Sequence, residues 1–563
     1  MKRTGAQIVW ESMMREGVAV VFGYPGGAIM PVYDALLDYP VHHVLVRHEE
    51  NAAFAADGYA RASGRVGVCL ATSGPGATNL LTGLADAMMD SAPVVAITGQ
   101  VASSLVGSDA FQETDVTGVT LPVTKHNYLV TRVEELAGVM KEAFHIARSG
   151  RPGPVLVDVC KDVQFASTDF DYDAIQVRLP GYRPVMRGTE EQIEEAVALI
   201  NASQRPIILA GHGIILSGAH DELQSLAEKA HIPISTTLLG IGTIPESHPL
   251  NLRMMGMHGE AYVNQAVQAA DLILALGMRF DDRVTGTLRT YAQNAQVIHV
   301  DIDPAEIGKN VVADIGIVGD AKNVLAQLLP RVEYQERADW FAQIDEWRQD
   351  TTRRDILNRE EDASLHVPFV IDQIRRSING SGQVTIVSDV GQHQMWAAQY
   401  FRHERRNRFF TSGGLGSMGC GLPMAVGASF ARPDEEVWVI AGDGGFQMSL
   451  PELATVAQER LPIKIAVMRN GYLGMVRQWQ ELLLGKRYSG VAISSPDFVK
   501  VAEAYGILGM RASEKSQVAE VIAEARSHPG PTLIDFVVEQ EANVYPMVEP
   551  GKALHEMLRR PLA

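Results

Sequence analysis

The sequence predicts an α/β protein of three domains in series, each a mostly parallel sheet flanked by helices. Three observations lead there. Its 563 residues exceed what a single core supports and suit about three domains of ordinary size. Short apolar runs alternate with helical patterns through most of the chain, the rhythm of parallel strands joined by crossover helices. The rhythm lapses at 165–190 and again at 330–366, which divides the chain into regions 1–165, 190–330 and 367–545 with a tail at 546–563.

In the first region, buried strands are expected at 18–22, 66–71, 94–98 and 155–159, with helices at 51–62 and 77–89. Scattered Asp, Gly and Pro without a period make 165–190 a linker, and a strand at 206–210 restarts the alternation. The charged stretch 339–354, rich in helix formers, precedes a third alternating region that runs from 384 to about 538. The first and third regions share a local plan. Strand 66–71, turn Ser73-Gly74-Pro75-Gly76, helix and strand 94–98 parallel strand 437–441, turn Gly442-Asp443-Gly444-Gly445, helix and strand 464–468. This hints at two related folds facing one ligand, although any pair of βαβ units shows part of it.

Composition narrows the function. A net charge of -18 with no cluster of Lys and Arg argues against a nucleic-acid partner, so any anion must be gripped locally. The three cysteines, Cys69, Cys160 and Cys420, are far apart and lack metal-ligand spacing, which fits a reducing cytoplasm. Glu11, Arg15 and Glu16 interrupt the apolar N-terminus, so no signal-peptide core is expected there. No apolar run approaches the roughly 20 residues of a membrane span, so no membrane partner is expected.

Gly442-Asp443-Gly444 ends a strand and opens a helix, where backbone N–H groups form an anion cradle. Alone, the triplet is equally an ordinary turn. Asn470 adds weight, lying 470 − 443 = 27 residues on and just past the next strand, so that both residues sit at carboxyl ends of strands. Mg²⁺ takes about six oxygens. The Asp443 carboxylate, the Asn470 amide oxygen and a backbone carbonyl near Tyr472 supply three, leaving places for diphosphate and water.

This spacing resembles the thiamine diphosphate motif, with Arg469 standing where that family usually has a first Asn. Arg47-His48-Glu49, followed by Asn51 to Arg61, is similar to the segment that carries the thiamine-activating glutamate. The resemblance assigns Glu49 to the pyrimidine nitrogen, where a carboxyl group favours the tautomer able to deprotonate the thiazolium carbon. It makes Met418, in Gly413–Gly419, the apolar wedge under the bent coenzyme, with the Gly416 carbonyl at its amino group. By itself, a Met beside glycines equally fills core space. It also assigns Pro25, Gly26, Gly391, Gln392, His393, Gly442, Gly444, Gly445, Gly474 and Met475 to the coenzyme. Without the match His393 would be an ordinary loop histidine.

The middle region contains Gly256-Met257-His258-Gly259, the run from Gly277 through Arg279, Phe280, Asp281, Asp282 and Arg283 to Gly286, and a strand end at Asp301-Ile302-Asp303. Read alone, these are turns of any nucleotide-binding fold. Together, and with similarity running from 24–35 through 109–113 to 544–551, they resemble the acetohydroxyacid (acetolactate) synthase catalytic subunits. That implies thiamine-diphosphate-binding folds at both ends and a Rossmann-like FAD domain between them. The FAD contacts are Gly211, Gly213, Gly256, Met257, His258, Gly277, Arg279, Asp281, Val284, Asp301, Ile302 and Asp320.

Arg283 matches the arginine that holds the second keto acid's carboxylate, a task suited to a planar fork of donors. Trp479 matches the tryptophan bordering the acceptor pocket, and Gln100, Phe111, Gln112 and Lys161 fall on active-site positions. Cys160 stands where relatives usually carry Pro. The implied reaction decarboxylates pyruvate and condenses the hydroxyethyl unit with pyruvate or 2-ketobutyrate. FAD is then structural, because the reaction is redox-neutral. The implied assembly is a homodimer or homotetramer with each site shared between chains, and a small regulatory subunit is an optional partner. The rival readings are a flavin-linked pyruvate oxidase and an inactive nucleotide-binding scaffold.

Overall fold

Runs of Val, Ile, Leu and Ala with no polar face require sheets covered on both sides, and three such sheets form. The computed structural model describes residues 2–358, 363–378 and 383–562. The first sheet is ordered His42–Leu45, Val20–Gly23, Gly67–Ala71, Val94–Gln100, Val155–Cys160, His126–Val130, all parallel. The third is ordered Phe409–Phe410, Val384–Ser388, Glu436–Gly442, Lys464–Arg469, Thr532–Val537, Leu508–Ala512, again all parallel. Counted in chain order, both read 2-1-3-4-6-5. The middle sheet runs Asn251–Met254, Ile234–Thr236, Pro206–Ala210, Leu272–Leu276, Gln296–Asp301, Ile315–Val318, the order 3-2-1-4-5-6 of a dinucleotide-binding fold. The shared plan of the end regions is therefore a shared topology, and the middle region is built differently.

Local chemistry explains where elements depart from expectation. The strand expected from residue 18 begins at Val20 because Val18 is used to close the preceding helix, Gly5–Arg15. Gly17, at φ 80°, lets the Val18 N–H reach the Met13 carbonyl (3.0 Å) and its own N–H reach Met14 (3.1 Å), a Schellman end. The helix expected at 77–89 is two pieces, Pro75–Asn79 and Leu81–Asp90. Part of the linker forms strand Ser167–Asp169, antiparallel to Lys2–Thr4. In the tail, Val548, Leu554 and Met557 are buried in the core of the middle region.

The two end regions touch directly. Helix Glu49–Ser63 lies against helix Gly421–Ala431 with their backbones in contact. A Cβ on Gly58 would sit 2.1 Å from the Met424 carbonyl oxygen, and one on Gly427 1.9 Å from that of Ala55. Any side chain at either position would wedge the helices apart. Phe54, Ala55, Leu422 and Met424 accordingly belong to one continuous core.

Candidate active site

Two cavities open at the carboxyl ends of strands. The smaller, about 60 Å³, is lined by Gly391, Gln392, His393, Met418, Gly442, Asp443, Gly444, Gly445, Asn470, Tyr472, Gly474 and Met475. The structure thus gathers twelve of the expected thiamine diphosphate residues from four separate stretches of chain. Asp443 opens the short helix Asp443–Met448 and is almost fully buried. Its Oδ2 accepts from the Gly471 N–H (3.0 Å) and the Ser495 hydroxyl (2.8 Å). Its Oδ1 has no hydrogen-bond partner among the described residues. A buried carboxylate oxygen left open is costly, and burial pushes the Asp443 carboxyl upward. A cation is the kind of partner that would complete it and favour the charged form. Asn470 Oδ1 accepts from the Tyr472 N–H (3.0 Å), which holds the 470–472 turn over Asp443.

His393 props this site from behind. It is buried, its pKa is driven down to about 4 by desolvation, and Nε2 accepts from the Gly442 N–H (3.3 Å). Gly391, at φ 149°, and Gly442 both lie so close to its ring that a Cβ on either would come within about 3.0 Å.

Glu49, Pro25 and Gly26 do not line the pocket that holds Asp443. They lie together at the ends of the first sheet. Glu49 begins helix Glu49–Ser63, behind His48, whose Nδ1 accepts from the Glu50 N–H (3.3 Å). The Asn79 amide donates to Glu49 Oε2 (3.0 Å), and a Cβ on Gly76 would stand 3.4 Å from Oε1, leaving the carboxylate half-buried and fixed at one oxygen. Gly26 and Gly76 both abut Thr72.

Gln112, at φ 61°, lays its backbone carbonyl over Gly74 in the same turn, and the neighbouring Phe111 is 88% exposed. Gln100 is less free, its amide donating to the Asp158 carboxylate (2.8 Å) and the Thr114 carbonyl (3.1 Å). Lys161 starts the helix Lys161–Phe165 at the end of strand Val155–Cys160.

The larger cavity, about 1130 Å³, is walled by all three regions. Of the expected FAD contacts, Gly213, Met257, His258, Gly277, Arg279, Asp281, Val284, Asp301, Ile302 and Asp320 line it. Gly211 and Gly256 stand behind the wall. A Cβ on Gly211 would meet the Gly277 carbonyl at 2.2 Å, and one on Gly256 the Arg283 carbonyl at 2.5 Å, so their place is close backbone packing. Gly416 also lines this larger cavity, although Met418, two residues on, lines the smaller one. Asp281 and Asp320 each cap a short helix, and burial pushes Asp301 up to about 6. His258, at about 4 through burial, donates Nδ1–H to the Pro546 carbonyl (3.1 Å).

Arg283 and Trp479, 196 residues apart by 479 − 283, meet in this cavity, the guanidinium carbon 5.6 Å from the ring centroid. Trp479 lies on helix Gly474–Leu483, whose first-turn residues Met475 and Val476 line both cavities. Fully buried Arg477 and Gln478 anchor that helix to the carbonyls of Ala542 (3.0 Å) and Val544 (3.1 Å).

Both departures from the family pattern have local explanations. Arg469 turns to the other side of the strand from Asn470 and pairs with buried Asp535 (2.8 Å). Cys160 takes φ −59°, within the range proline would impose, so Lys161 leaves the strand as it would after a Pro. Reading the sequence missed Asn79, Thr72 and Ser495. Asn79 sits one helical turn past a glycine turn already singled out, whereas Ser495 lies in a stretch without period and carries no signal.

Comparison with known proteins is consistent across the chain. The thiamine pyrophosphate enzyme N-terminal TPP binding domain matches residues 3–119, the central domain 193–328 and the C-terminal TPP binding domain 389–536. The acetolactate synthase of Mycobacterium bovis is 50% identical, covering 98% of this chain and 91% of that protein. The acetolactate synthase large subunit of Corynebacterium glutamicum is 48% identical over 98% of this chain and 89% of its own length. The acetolactate synthase of Arthrospira platensis is 46% identical over 99% and 97%.

Proposed function

The chain belongs to the acetolactate synthase family of thiamine pyrophosphate enzymes, and from that premise we propose how its residues share the work. The activity decarboxylates pyruvate and joins the remaining two-carbon unit to a second pyruvate, or to 2-ketobutyrate, as the first common step toward branched-chain amino acids. Bound thiamine diphosphate supplies an acidic ring carbon that attacks the keto group and a ring that takes up the electrons left by carbon dioxide.

Asp443, Asn470 and the Tyr472 carbonyl hold Mg²⁺, and the open Oδ1 of Asp443 supports this donor set. Glu49 hydrogen-bonds the pyrimidine nitrogen, and Asn79 fixes the direction of its carboxylate. Met418 would pack against the bound coenzyme. Arg283 receives the carboxylate of the second keto acid, and the face of Trp479 sets the room for its side chain. Gln100, Phe111, Gln112 and Lys161 stand apart from the cavity of Arg283 and Trp479, at the ends of the first sheet, and reach an active site from a second copy of the chain. FAD occupies the larger cavity, which is supported by its position at the strand ends of a 3-2-1-4-5-6 sheet. It holds the three regions together and exchanges no electrons, because the reaction is redox-neutral.

A second copy of the chain completes each site. The pocket of Asp443 is lined only by residues of the third region, while half-buried Glu49 and exposed Phe111 stand at the end of the first. A homodimer, or a tetramer built from it, brings Glu49 of one chain to Asp443 of the other. Relatives named as large subunits make a small regulatory subunit a further partner. Three buried free thiols suit a cytoplasmic location, and no described helix is long and apolar enough to cross a membrane.

One observation carries the reading: the first turn of helix Gly474–Leu483 borders both cavities, and a turn later the same helix sets Trp479 against Arg283. That adjacency supports Arg283 as the carboxylate-binding group beside the coenzyme site. The experiment is product analysis with pyruvate and 2-ketobutyrate together, omitting thiamine diphosphate, Mg²⁺ and FAD in turn. Both acetohydroxy acids should form without an external electron acceptor. Anaerobic bleaching of the flavin by pyruvate, without acetolactate, would point to an oxidase instead.

A further inference from the structure

Residues 412–418 form the partition between the two cavities. Ser412 through Gly416 line the larger one and Met418 the smaller. The stretch contains no helix or strand and three glycines, Gly416 among them at φ 74°. Such a segment has much conformational freedom to lose, so something must hold it.

The holding groups come almost entirely from the first region. The Ser412 hydroxyl accepts from the N–H groups of Gly416 (2.9 Å) and Ser417 (2.9 Å) and donates to Asp86 Oδ1. The Ser417 hydroxyl reaches the same oxygen (3.3 Å). Asp90 accepts from Gly413 N–H through Oδ2 (2.8 Å) and from Gly414 N–H through Oδ1 (2.7 Å). Arg61 donates to the Thr411 carbonyl (2.9 Å) while its other nitrogens bind Asp57 (2.6 Å) and Asp90 (3.0 Å). All four charged residues are buried. From the middle region, His212 Nδ1 meets the Asp90 carbonyl (2.9 Å), and the Arg279 guanidinium lies beside Gly414.

Three carboxylates face one guanidinium here, an arrangement that would repel itself if all were charged. Burial and the neighbouring Asp90 and Asp57 push Asp86 up to about 8, and burial pushes Asp57 up as well, so the cluster holds protons that exposed acids would have lost.

We propose that Ser412, fixed by Asp86 and flanked by Asp90, is a positioning residue that sets the Gly416 carbonyl and the Met418 side chain against thiamine diphosphate and the outer face of the same segment against the flavin. This rests on the assignment of Gly416 and Met418 to the coenzyme made above. The small N-terminal helix Leu81–Asp90 then has a role in coenzyme geometry without touching the coenzyme.

The test uses the full chain with Ser412→Ala, Asp86→Ala and Asp86→Asn. Amide hydrogen exchange of the 412–420 peptide is followed in cofactor-free protein, with kcat, half-saturating thiamine diphosphate and the visible circular dichroism of the flavin measured in holoenzyme. Ser412→Ala and Asp86→Ala should speed exchange at Gly416 and Ser417 about tenfold, the loss of one buried hydrogen bond. They should lower kcat by a similar factor, raise half-saturating coenzyme and alter the flavin band. Asp86→Asn keeps an acceptor for Ser412 and should restore all four readouts to wild-type values. Unchanged exchange in Ser412→Ala and Asp86→Ala would overturn the proposal, as would an Asp86→Asn protein as impaired as Asp86→Ala. Faster exchange with unaltered kcat and coenzyme half-saturation would keep the hydrogen bonds but overturn the placement of Gly416 and Met418 at the coenzyme, and with it the positioning role.

Discussion

The first and third sheets have one topology and different chemistry. In both, the third strand ends in a glycine turn, Ser73–Gly76 after Gly67–Ala71 and Gly442–Gly445 after Glu436–Gly442. In the third sheet the acid stands in that turn, buried, with one oxygen left open. In the first sheet the equivalent turn is Gly and Pro, and the acid, Glu49, follows the second strand, half-buried, with one oxygen held by Asn79. A cation needs a desolvated charge and open lone pairs, whereas a group that shares a proton with a ring nitrogen needs a carboxyl in fixed orientation. The same scaffold offers several strand ends, and the two halves bear their carboxylate at different ones, which suits the two tasks proposed for them.

On that division of labour the two acids should fail differently. Glu49→Gln should lower turnover by roughly 10²–10⁴-fold while thiamine diphosphate affinity, read by fluorescence titration, stays nearly unchanged. Asp443→Ala should raise the Mg²⁺ concentration for half activation by on the order of tenfold or more, with activity partly recovered at high Mg²⁺. A shared phenotype for the two variants would break the comparison. Trp479→Leu sharpens it by probing neither acid. The yield of acetohydroxybutyrate relative to acetolactate from mixed substrates should fall about tenfold, with pyruvate self-condensation retained, and an unaltered ratio would remove Trp479 from the acceptor space.

The smallest effect concerns stability. Asp86 keeps its proton to about 8 in the folded chain, against an ordinary value of 3.8. The folded state therefore binds the extra proton between those values, and the contribution of Asp86 to wild-type stability falls as pH rises from about 4 to about 8. Asp86→Asn lacks that loss, so its unfolding midpoint should gain on wild type across the same window. A gap that stays constant between pH 5 and pH 8 would contradict the raised value.

The fold was largely legible because buried parallel strands advertise themselves as unbroken apolar runs, and 206–210 coincides with Pro206–Ala210. The edges were harder to read. Residue 18 looks like strand, yet it closes a helix, and Ser167–Asp169 is polar and pairs only with the distant Lys2–Thr4. Within the site, Asp443 and Asn470 were readable from their spacing, since a βα unit sets that separation. The pairing of Arg283 with Trp479 across two regions has no spacing rule, and resemblance alone pointed to it. Nothing local marks Asp86 or Ser412 either, because their meaning arises only where helix Leu81–Asp90 meets the glycine-rich partition.

In the proposed assembly Glu49 and Asp443 serve one coenzyme from two different chains, and mixing two crippled proteins probes that sharing. Glu49→Gln and Asp443→Ala proteins, each nearly inactive, are combined, dissociated and reassembled at equal concentration, and acetolactate formation is measured. Random reassembly gives hybrids with one intact site in two, so activity should return to about a quarter of wild type. Recovery no greater than the sum of the two separate variants would contradict a site shared between chains.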